Sequence, residues 1–306
     1  MTREAFIEKR FHSKSLNQIN HANQIINDYR LQGYRLTLRQ LYYQFVTRNL
    51  ITNTEASYQK LGTLISDARL AGLIDWSAIE DRTRNLRSIT TFEDAQELMQ
   101  NTSAWFTLDK WQDQPTRIEV WVEKEALLGV LQRVCNQYEV PYFACKGYVS
   151  QSEMYDASKR YIEYIDNAQE VHLIHLGDHD PSGIDMTRDI LSRIELFIEN
   201  YGYSSQFIVH RIALNYDQVE YYNPPPNPAK NTDTRFIEYQ RQFGDTSWEL
   251  DALEPRVITN LIEENILFLR HDSIWDKSVQ KERYQKEILD KTSNNWDKVC
   301  KFVEKL

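Results

Sequence analysis

The sequence predicts an α/β protein in which a helical N-terminal domain precedes a mainly parallel sheet and a helical C-terminal extension. Before residue 90, apolar residues recur every three or four positions. From residue 115 to about 215, short apolar runs alternate with helical segments. The expected domain boundaries are 1–110, 115–215 and 216–306. The last range begins with a Pro- and Asn-rich stretch and continues with helical patterns.

Three helices and a short extended segment are expected in the first domain. Residues 12–32 predict the first helix, which Gly33 ends. Thr37 is suited to cap the second helix, and the third covers SYQKLGTLISDARLAG. The stretch LIDWSAIEDRTR then predicts an extended piece. This order is typical of a winged helix-turn-helix domain. The stretch FEDAQELMQ predicts a connecting helix.

Length and composition indicate a globular protein. The 306 residues suffice for two or three domains. No stretch approaches the roughly 20 apolar residues of a membrane span, and MTREAFIEKRFHSKS lacks the apolar core of a secretory signal. The three scattered cysteines, Cys135, Cys145 and Cys300, indicate a reducing compartment and no zinc site. We therefore expect a cytoplasmic protein without a membrane partner.

The charge distribution is uneven along the chain. Residues 1–90 contain 13 Lys and Arg against 8 Asp and Glu, a net charge of +5. The other 216 residues contain 23 against 37, a net charge of −14. A basic module on an acidic body is typical of a protein that contacts nucleic acid with one part. Chance variation in surface charge would give the same split, so charge alone leaves DNA binding open.

The third helix and the segment after it carry the candidate DNA contacts. Gln59, Lys60 and Thr63 point away from the apolar face of this helix, which in a winged helix faces the DNA groove. Arg82, Arg84 and Arg87 follow the expected wing, where phosphates are the natural targets of arginine. Each of these residues also fits an ordinary solvated basic surface.

Three carboxylates follow strands of the expected sheet. Glu123 ends the first strand, and Asp178 and Asp180 follow the third. Ligands of open parallel sheets bind at the carboxyl ends of strands, and oxygen ligands suit Mg²⁺. Alternation along the loop should point His179 away, as a structural residue. The sequence therefore predicts a magnesium site at Glu123, Asp178 and Asp180.

The same loop has a plainer interpretation. Asp178 and Asp180 could cap a helix or be solvated. Gly177 and Gly183 give the loop room to approach a ligand, and Ser182 is a candidate N-cap of the next helix.

The second helix contains a candidate nucleophile. Its buried stripe includes Tyr42, so that ring belongs to the core, whereas Arg39 and Tyr43 are neighbours four residues apart on an adjacent face. A guanidinium beside a phenol favours the phenolate and can grip a phosphate. A tyrosine that attacks a phosphodiester needs both properties. Packing of a tyrosine against an arginine explains the pattern equally well.

Two linked motifs resemble one known family. VEKEALLGVL followed by GDHDPSG resembles the TOPRIM domain shared by type IA and type II topoisomerases, bacterial primases and some nucleases. The variant is most similar to the A subunit of topoisomerase VI and its meiotic double-strand-break relatives. TLRQLYYQ resembles that family's R-x-I-Y-Y motif, so the resemblance implies Tyr43 as the catalytic tyrosine and Arg39 as the motif arginine. It likewise implies that the family's acidic metal-binding residues correspond to Glu123, Asp178 and Asp180.

The resemblance implies a Mg²⁺-dependent DNA-cleaving enzyme that forms a phosphotyrosyl link. It also implies double-stranded DNA as substrate and a homodimer in which the tyrosine of one protomer faces the metal of the other. A separate ATPase subunit is a further possible partner, because the chain has no P-loop motif. A hydrolytic TOPRIM nuclease and a DNA-binding partner without catalytic activity remain alternatives.

Overall fold

The computed structural model describes residues 3–79, 91–229 and 233–305. Within these ranges the chain forms twelve α-helices and a four-stranded parallel sheet, which confirms the α/β class. The helices are α1 Ser13–Leu31, α2 Leu38–Thr47, α3 Glu55–Leu70, α4 Ala95–Trp105, α5 Leu128–Tyr138, α6 Gln151–Asp166, α7 Pro181–Ile198, α8 Tyr216–Tyr222, α9 Phe236–Phe243, α10 Pro255–Leu269, α11 Asp272–Asn294 and α12 Trp296–Val303. The sheet strands are β1 Thr116–Val122, β2 Tyr142–Ala144, β3 Glu170–Leu176 and β4 Phe207–Ala213.

The first three helices pack around a core of their own. Thr37 caps α2 as predicted, and its hydroxyl and the Gln40 side chain form a reciprocal capping box. Helix α3 begins two residues before the predicted start, because the Thr54 hydroxyl accepts from the Ser57 amide and caps it there. The buried face of the three helices includes Ile19, Ala22, Ile25, Leu41, Phe45, Leu61, Ile65 and Ala68.

The extended segment expected after α3 is not a strand in its described part. Residues 73–79 form turns, and a single parallel bridge joins Ile79 to Leu36. Asp75 explains the turn, since its carboxylate accepts from the Ser77 amide at 2.9 Å and the Ser77 hydroxyl at 2.8 Å. Residues 80–90, with the remainder of the expected wing, lie outside the described residues.

The sheet has the strand order β2-β1-β3-β4, with every neighbouring pair parallel. Successive residues of β1 alternate between two cores: Ile118, Val120 and Val122 face α5 and α10, and Trp121 faces α6 and α7. From β1 the chain continues to β2, at one edge of the sheet. From β3 it continues to β4, at the opposite edge. The carboxyl ends of β1 and β3 therefore form the switch point at which such sheets bind ligands.

C-terminal residues enter two of the three cores, that of the first three helices and that between the sheet and α5. Helix α10 packs on α5 and the sheet, and α11 packs against α4. Residues 248–253, here called the bridge segment, link the two units: Leu250 and Leu253 enter the core of the sheet, and Ala252 enters the core of the first three helices. Across the described ranges, no helix combines the length and apolar character required to span a bilayer.

Candidate functional site

The structure places Glu123 and Asp178 side by side at the switch point. Val122 pairs with Leu176 at the ends of β1 and β3, and the Glu123 amide donates to the Leu176 carbonyl at 2.9 Å. The Glu123 carboxylate turns back and accepts a 2.9 Å hydrogen bond from the Asp178 amide. Parallel pairing of two adjacent strands thus brings together carboxylates that are 55 positions apart.

Asp180 has a structural role in this conformation. It is the N-cap of α7, and its Oδ1 accepts from the Gly183 amide at 2.6 Å and from the Ser182 hydroxyl at 2.9 Å. The expectation that Ser182 caps this helix is therefore wrong, because Pro181 occupies the first helical position and the cap must precede it. Asp180 still belongs to the acidic group, since its charge contributes to raising the pKa of Glu123.

The two loop glycines make room for the protein itself. A Cβ on Gly183 would lie 2.3 Å from the Asp178 carbonyl oxygen. A Cβ on Gly177 would lie 3.2 Å from both the Glu123 carboxylate and the Arg211 guanidinium. These glycines therefore allow the loop to fold tightly against the strand ends, and the space expected for a ligand at their Cα atoms is filled by protein groups.

Asp178 is the most constrained of the three predicted ligands. The residue is 6% exposed; its Oδ1 accepts from the Leu250 amide at 2.8 Å, and its Oδ2 lies 2.8 Å from the Lys124 ammonium. Burial raises the pKa of Asp178 to about 7, and the charges of Glu123 and Asp251 add to the rise although Lys124 opposes it. A buried carboxylate so perturbed is a candidate for cation binding or proton transfer.

Lys124 joins this edge of the sheet to the bridge segment. Its ammonium lies 2.8 Å from Asp178, 2.9 Å from Glu249 and 3.1 Å from Asp251. Asp251 is fully buried, and its Oδ2 makes no hydrogen bond. That oxygen lies 3.3 Å from the Nε of Arg39. The bridge segment therefore contributes two carboxylates to the site.

Arg39 and Tyr43 meet the same carboxylates within one chain. The Arg39 guanidinium donates to Glu249 at 2.7 Å and to the Tyr43 hydroxyl at 3.4 Å. Burial alone would raise the pKa of Glu249, but the charge and hydrogen bond of the Lys124 ammonium, with smaller contributions from Tyr43 and Arg39, lower it to about 2. Tyr43 thus connects through Arg39, Glu249 and Lys124 to Asp178.

Arg39 favours the Tyr43 phenolate, as predicted, but other groups outweigh its effect. The Tyr43 side chain is 3% exposed, and burial first, then the charges of Asp251 and Glu249, raise its pKa above the ordinary value of 10. Arg39 lowers the pKa, as expected, but by less than these groups raise it. In this conformation the phenol holds its proton. The prediction for Tyr42 is confirmed, since its ring is 5% exposed and packs edge-on against Tyr43.

The histidines near the site are structural. His179 is 2% exposed, and its ring packs edge-on against Phe243 at 4.6 Å and bonds to the Tyr239 hydroxyl at 3.0 Å. His175 is fully buried and bonds to the Thr187 hydroxyl at 2.8 Å. The contacts of His179 agree with the expectation that its side chain is structural.

The predicted DNA contacts are only partly described. Lys60 is exposed on α3, as expected for a residue that points away from the helical core. Arg82, Arg84 and Arg87 lie outside the described residues, so their part of the prediction has no structural counterpart.

The donor chemistry of the site fits Mg²⁺, although the side chains are not gathered around one point. No group of three His, Cys, Asp or Glu side chains among the described residues is arranged to hold a metal ion. Glu123 and Asp180 are engaged by backbone amides instead. The donors are nonetheless all oxygen, although the buried Asp251 oxygen without a hydrogen bond is ion-paired with Arg39. Hard divalent cations prefer such donors.

The balance of charge points in the same direction. Five carboxylates interact here with three basic side chains, which leaves an excess of two negative charges when all are ionised. The carboxylates are those of Glu123, Asp178, Asp180, Glu249 and Asp251. The basic side chains are those of Arg39, Lys124 and Arg211. One divalent cation would balance that excess.

Four charged residues of the site were missed from sequence. Lys124 stands inside the VEKEA motif, and Glu249 and Asp251 form a second acidic pair, in WELDAL, with the spacing of Asp178 and Asp180. That shared spacing was the feature of the sequence that could have identified the second acidic pair. Arg211 is held by the Asp178, Gly183 and other loop carbonyls, and nothing in its strand sequence indicated this role.

A scan against protein-family models and a search of curated proteins find no match to this chain.

Proposed function

We propose that this protein is a Mg²⁺-dependent DNA-cleaving transesterase of the topoisomerase VI A type. Tyr43 is the nucleophile, and the carboxylates at the ends of β1 and β3 hold the metal ion. One observation carries the proposal: the Tyr43 hydroxyl and the Asp178 carboxylate belong to one contact network, through Arg39, Glu249 and Lys124. Phosphoryl transfer needs a nucleophile and an anion-stabilising site in one centre.

The proposed reaction exchanges one phosphodiester for another. The Tyr43 oxygen bonds to phosphorus, the P–O3′ bond breaks, and the 3′ oxygen leaves as a hydroxyl after taking a proton from water. The phenol proton passes to solvent. Arg39, whose side chain is 44% exposed, is accessible to a phosphate and offers it bidentate hydrogen bonds.

The metal ion would act through the three carboxylates of the sheet edge. Glu123, Asp178 and Asp180 are the residues that would hold it. Mg²⁺ supplies positive charge to the phosphate oxygens during transfer. Since Asp178 is bonded to the Leu250 amide, its carboxylate is already oriented when the ion arrives.

Each reaction centre is proposed to lie within one chain. The resemblance implies a tyrosine and a metal site from different protomers, whereas the contacts here join Tyr43 to Asp178 in the same chain. A duplex break still needs two centres, which a two-fold homodimer supplies. A mixture of Tyr43→Phe and Asp178→Asn protein distinguishes the two arrangements. Same-chain centres predict no adduct in mixed dimers, whereas shared centres predict one active site per mixed dimer.

The remaining parts of the proposal concern architecture and partners. Helices α1–α3 are proposed as a winged helix-turn-helix domain that binds double-stranded DNA, with Lys60, Arg82 and Arg84 on phosphates. Residues 115–215 are proposed as a TOPRIM domain. Strand passage would need a separate ATPase subunit, and the expected location is cytoplasmic.

A hydrolytic nuclease is the second candidate, and the environment of Tyr43 favours it. The phenol is 3% exposed and its pKa is raised, so a water molecule at the carboxylates would meet less resistance as a nucleophile.

A covalent-trap experiment separates the candidates. Labelled supercoiled DNA is incubated with the protein and Mg²⁺, then quenched with SDS. The proposal predicts broken DNA that carries protein at its 5′ end. Cleavage without a protein adduct supports hydrolysis. If EDTA leaves the DNA products unchanged, both metal-dependent candidates are excluded.

A further inference from the structure

A polar pocket lies where the turn between α1 and α2 meets helices α5 and α10. It shares no residue with the acidic cluster, and its volume is about 330 Å³. Pockets that bind small molecules have volumes of about 300–1,000 Å³ and often lie at the junction of structural units. We propose that this pocket binds a mononucleotide, with the phosphate group on Arg256 and the base stacked on Arg133.

The charge of the pocket wall favours an anionic ligand. Neither Arg133 nor Arg256 forms an ion pair with a residue that the structure describes. Glu263 is the one acidic residue in the described lining, and its Oε1 accepts a 2.5 Å hydrogen bond from the Tyr138 hydroxyl. The wall therefore has a net charge of +1, although the chain after residue 90, to which both arginines belong, has a net charge of −14. A phosphate group matches this local excess of positive charge.

The guanidinium of Arg133 is held in place before a ligand binds. Its central carbon lies 5.3 Å from the centre of the Tyr34 ring, and its Nη1 donates to the Gln32 carbonyl at 2.8 Å. The Tyr34 hydroxyl lies 3.0 Å from the Thr259 hydroxyl, which donates to the Arg256 carbonyl. The ring under Arg133 is therefore fixed to α10. A guanidinium plane of this kind is a surface on which a nucleobase stacks.

Two exposed side chains of α10 complete the proposed contacts. Arg256 and Asn260 are four residues apart, so they lie on one face of the helix, and both line the pocket. A guanidinium offers a phosphate two parallel hydrogen bonds, and a carboxamide offers a base edge one donor group and one acceptor. Inorganic phosphate would use Arg256 alone. A nucleotide would also use the Arg133 plane and the Asn260 amide.

A nucleotide in this pocket would contact both structural units. Tyr34 packs on the core of the first three helices, whereas Arg133 and Arg256 belong to helices that pack on the sheet. Binding should therefore stabilise the position of the first three helices against the sheet, the same position that brings Arg39 to Glu249. The proposal requires neither DNA nor Mg²⁺ and does not rest on the proposed function.

Isothermal titration calorimetry tests the proposal. The four ribonucleoside 5′-monophosphates are titrated separately into the full chain, in EDTA and at roughly 0.15 M salt, where exposed charges more than about 8 Å apart are screened. We expect at least one of them to bind at one site per chain. Arg256→Ala should weaken it by about 10-fold to 100-fold, and Arg133→Lys, which keeps the charge but loses the plane, by about tenfold. Arg283→Ala removes an exposed arginine of α11 and is the matched control, which should bind like wild-type protein.

The proposal is overturned if no mononucleotide binds, or if Arg256→Ala binds as tightly as wild-type protein. Equal affinity for inorganic phosphate or for the matching nucleoside also overturns it, because base and phosphate should both contribute. A 5′-phosphorylated oligonucleotide that binds more tightly, and that Arg256→Ala weakens, contradicts a small-molecule ligand. Thermal unfolding provides a second measurement. The nucleotide should raise the Tm of wild-type and Arg283→Ala protein but not that of Arg256→Ala, and an equal rise in all three contradicts the site.

Discussion

The ionised Asp178 side chain should make metal-free wild-type protein less stable than the Asp178→Asn variant. Its pKa rises from the ordinary 3.8 to about 7 on folding, so the folded state disfavours its charged form. At about 1.4 kcal/mol per pKa unit the cost is on the order of 4 kcal/mol. Relaxation of the cluster reduces this value. We therefore expect Asp178→Asn to raise the free energy of unfolding by about 2–4 kcal/mol at pH 8.

The sign of the pH dependence follows from the direction of the pKa change. Below pH 3.8 the carboxyl is protonated in both states, so the cost of the buried charge is absent and the two proteins should differ little in stability. Between about pH 4 and 7 the unfolded chain releases its proton while folded Asp178 keeps it, so wild-type stability falls as pH rises. Above pH 7 the loss is complete. The gap between Asp178→Asn and wild-type protein should therefore widen from pH 5 to pH 8.

Urea denaturation at pH 5 and pH 8 in EDTA measures this gap. Asp178→Asn retains an oxygen for the Leu250 amide, whereas Asp178→Ala loses that 2.8 Å hydrogen bond and should be less stable than the Asn variant by about 1–3 kcal/mol. Mg²⁺ should stabilise wild-type protein and leave Asp178→Asn unchanged. The reasoning is refuted if wild-type protein at pH 8 is as stable as Asp178→Asn.

Three further predictions concern the packing around the site. Gly183→Ala would place a Cβ 2.3 Å from the Asp178 carbonyl, so circular dichroism melts should show a lower Tm and a normal Tm would contradict the contact. Lys110→Met removes the 2.6 Å partner of Glu282 but leaves Lys286 at 2.8 Å, so urea denaturation should show a loss of about 1–3 kcal/mol. Hydrogen bonds from Lys110 and Lys286 outweigh burial and lower the pKa of Glu282 to about 2, so its contribution to stability should be lost as pH falls from 4.5 towards 2, and Glu282→Gln should not show this loss.

Local signals in the sequence predicted much of the fold. The Thr37 cap, the periodicity of α1–α3 and the alternation of strands and helices all appear where expected. The proximity of Glu123 and Asp178 followed from the general placement of ligands at strand ends. The prediction of an extended segment after α3 was wrong because the Asp75 carboxylate organises residues 73–79 as turns. The pattern of apolar residues does not reveal such a side-chain effect.

The part of the site that depends on contacts between residues far apart in the sequence could not be predicted. Glu249 reaches Arg39 across 210 positions and Lys124 across 125, and no local pattern relates such distant residues. The raised pKa of Tyr43 has the same origin, because it depends on burial and on acidic groups brought in by the bridge segment. From the helix alone Arg39 was the visible neighbour, so the phenolate appeared favoured.

The identity of the nucleophile tests the central claim most directly. After the SDS quench and nuclease digestion, mass spectrometry of tryptic peptides locates any residue that carries a nucleotide. We predict a single 5′-phosphotyrosyl adduct on Tyr43, present with Tyr42→Phe protein and absent with Tyr43→Phe protein or EDTA. DNA cleavage by Tyr43→Phe protein at the wild-type rate, or an adduct on another residue, would contradict the account.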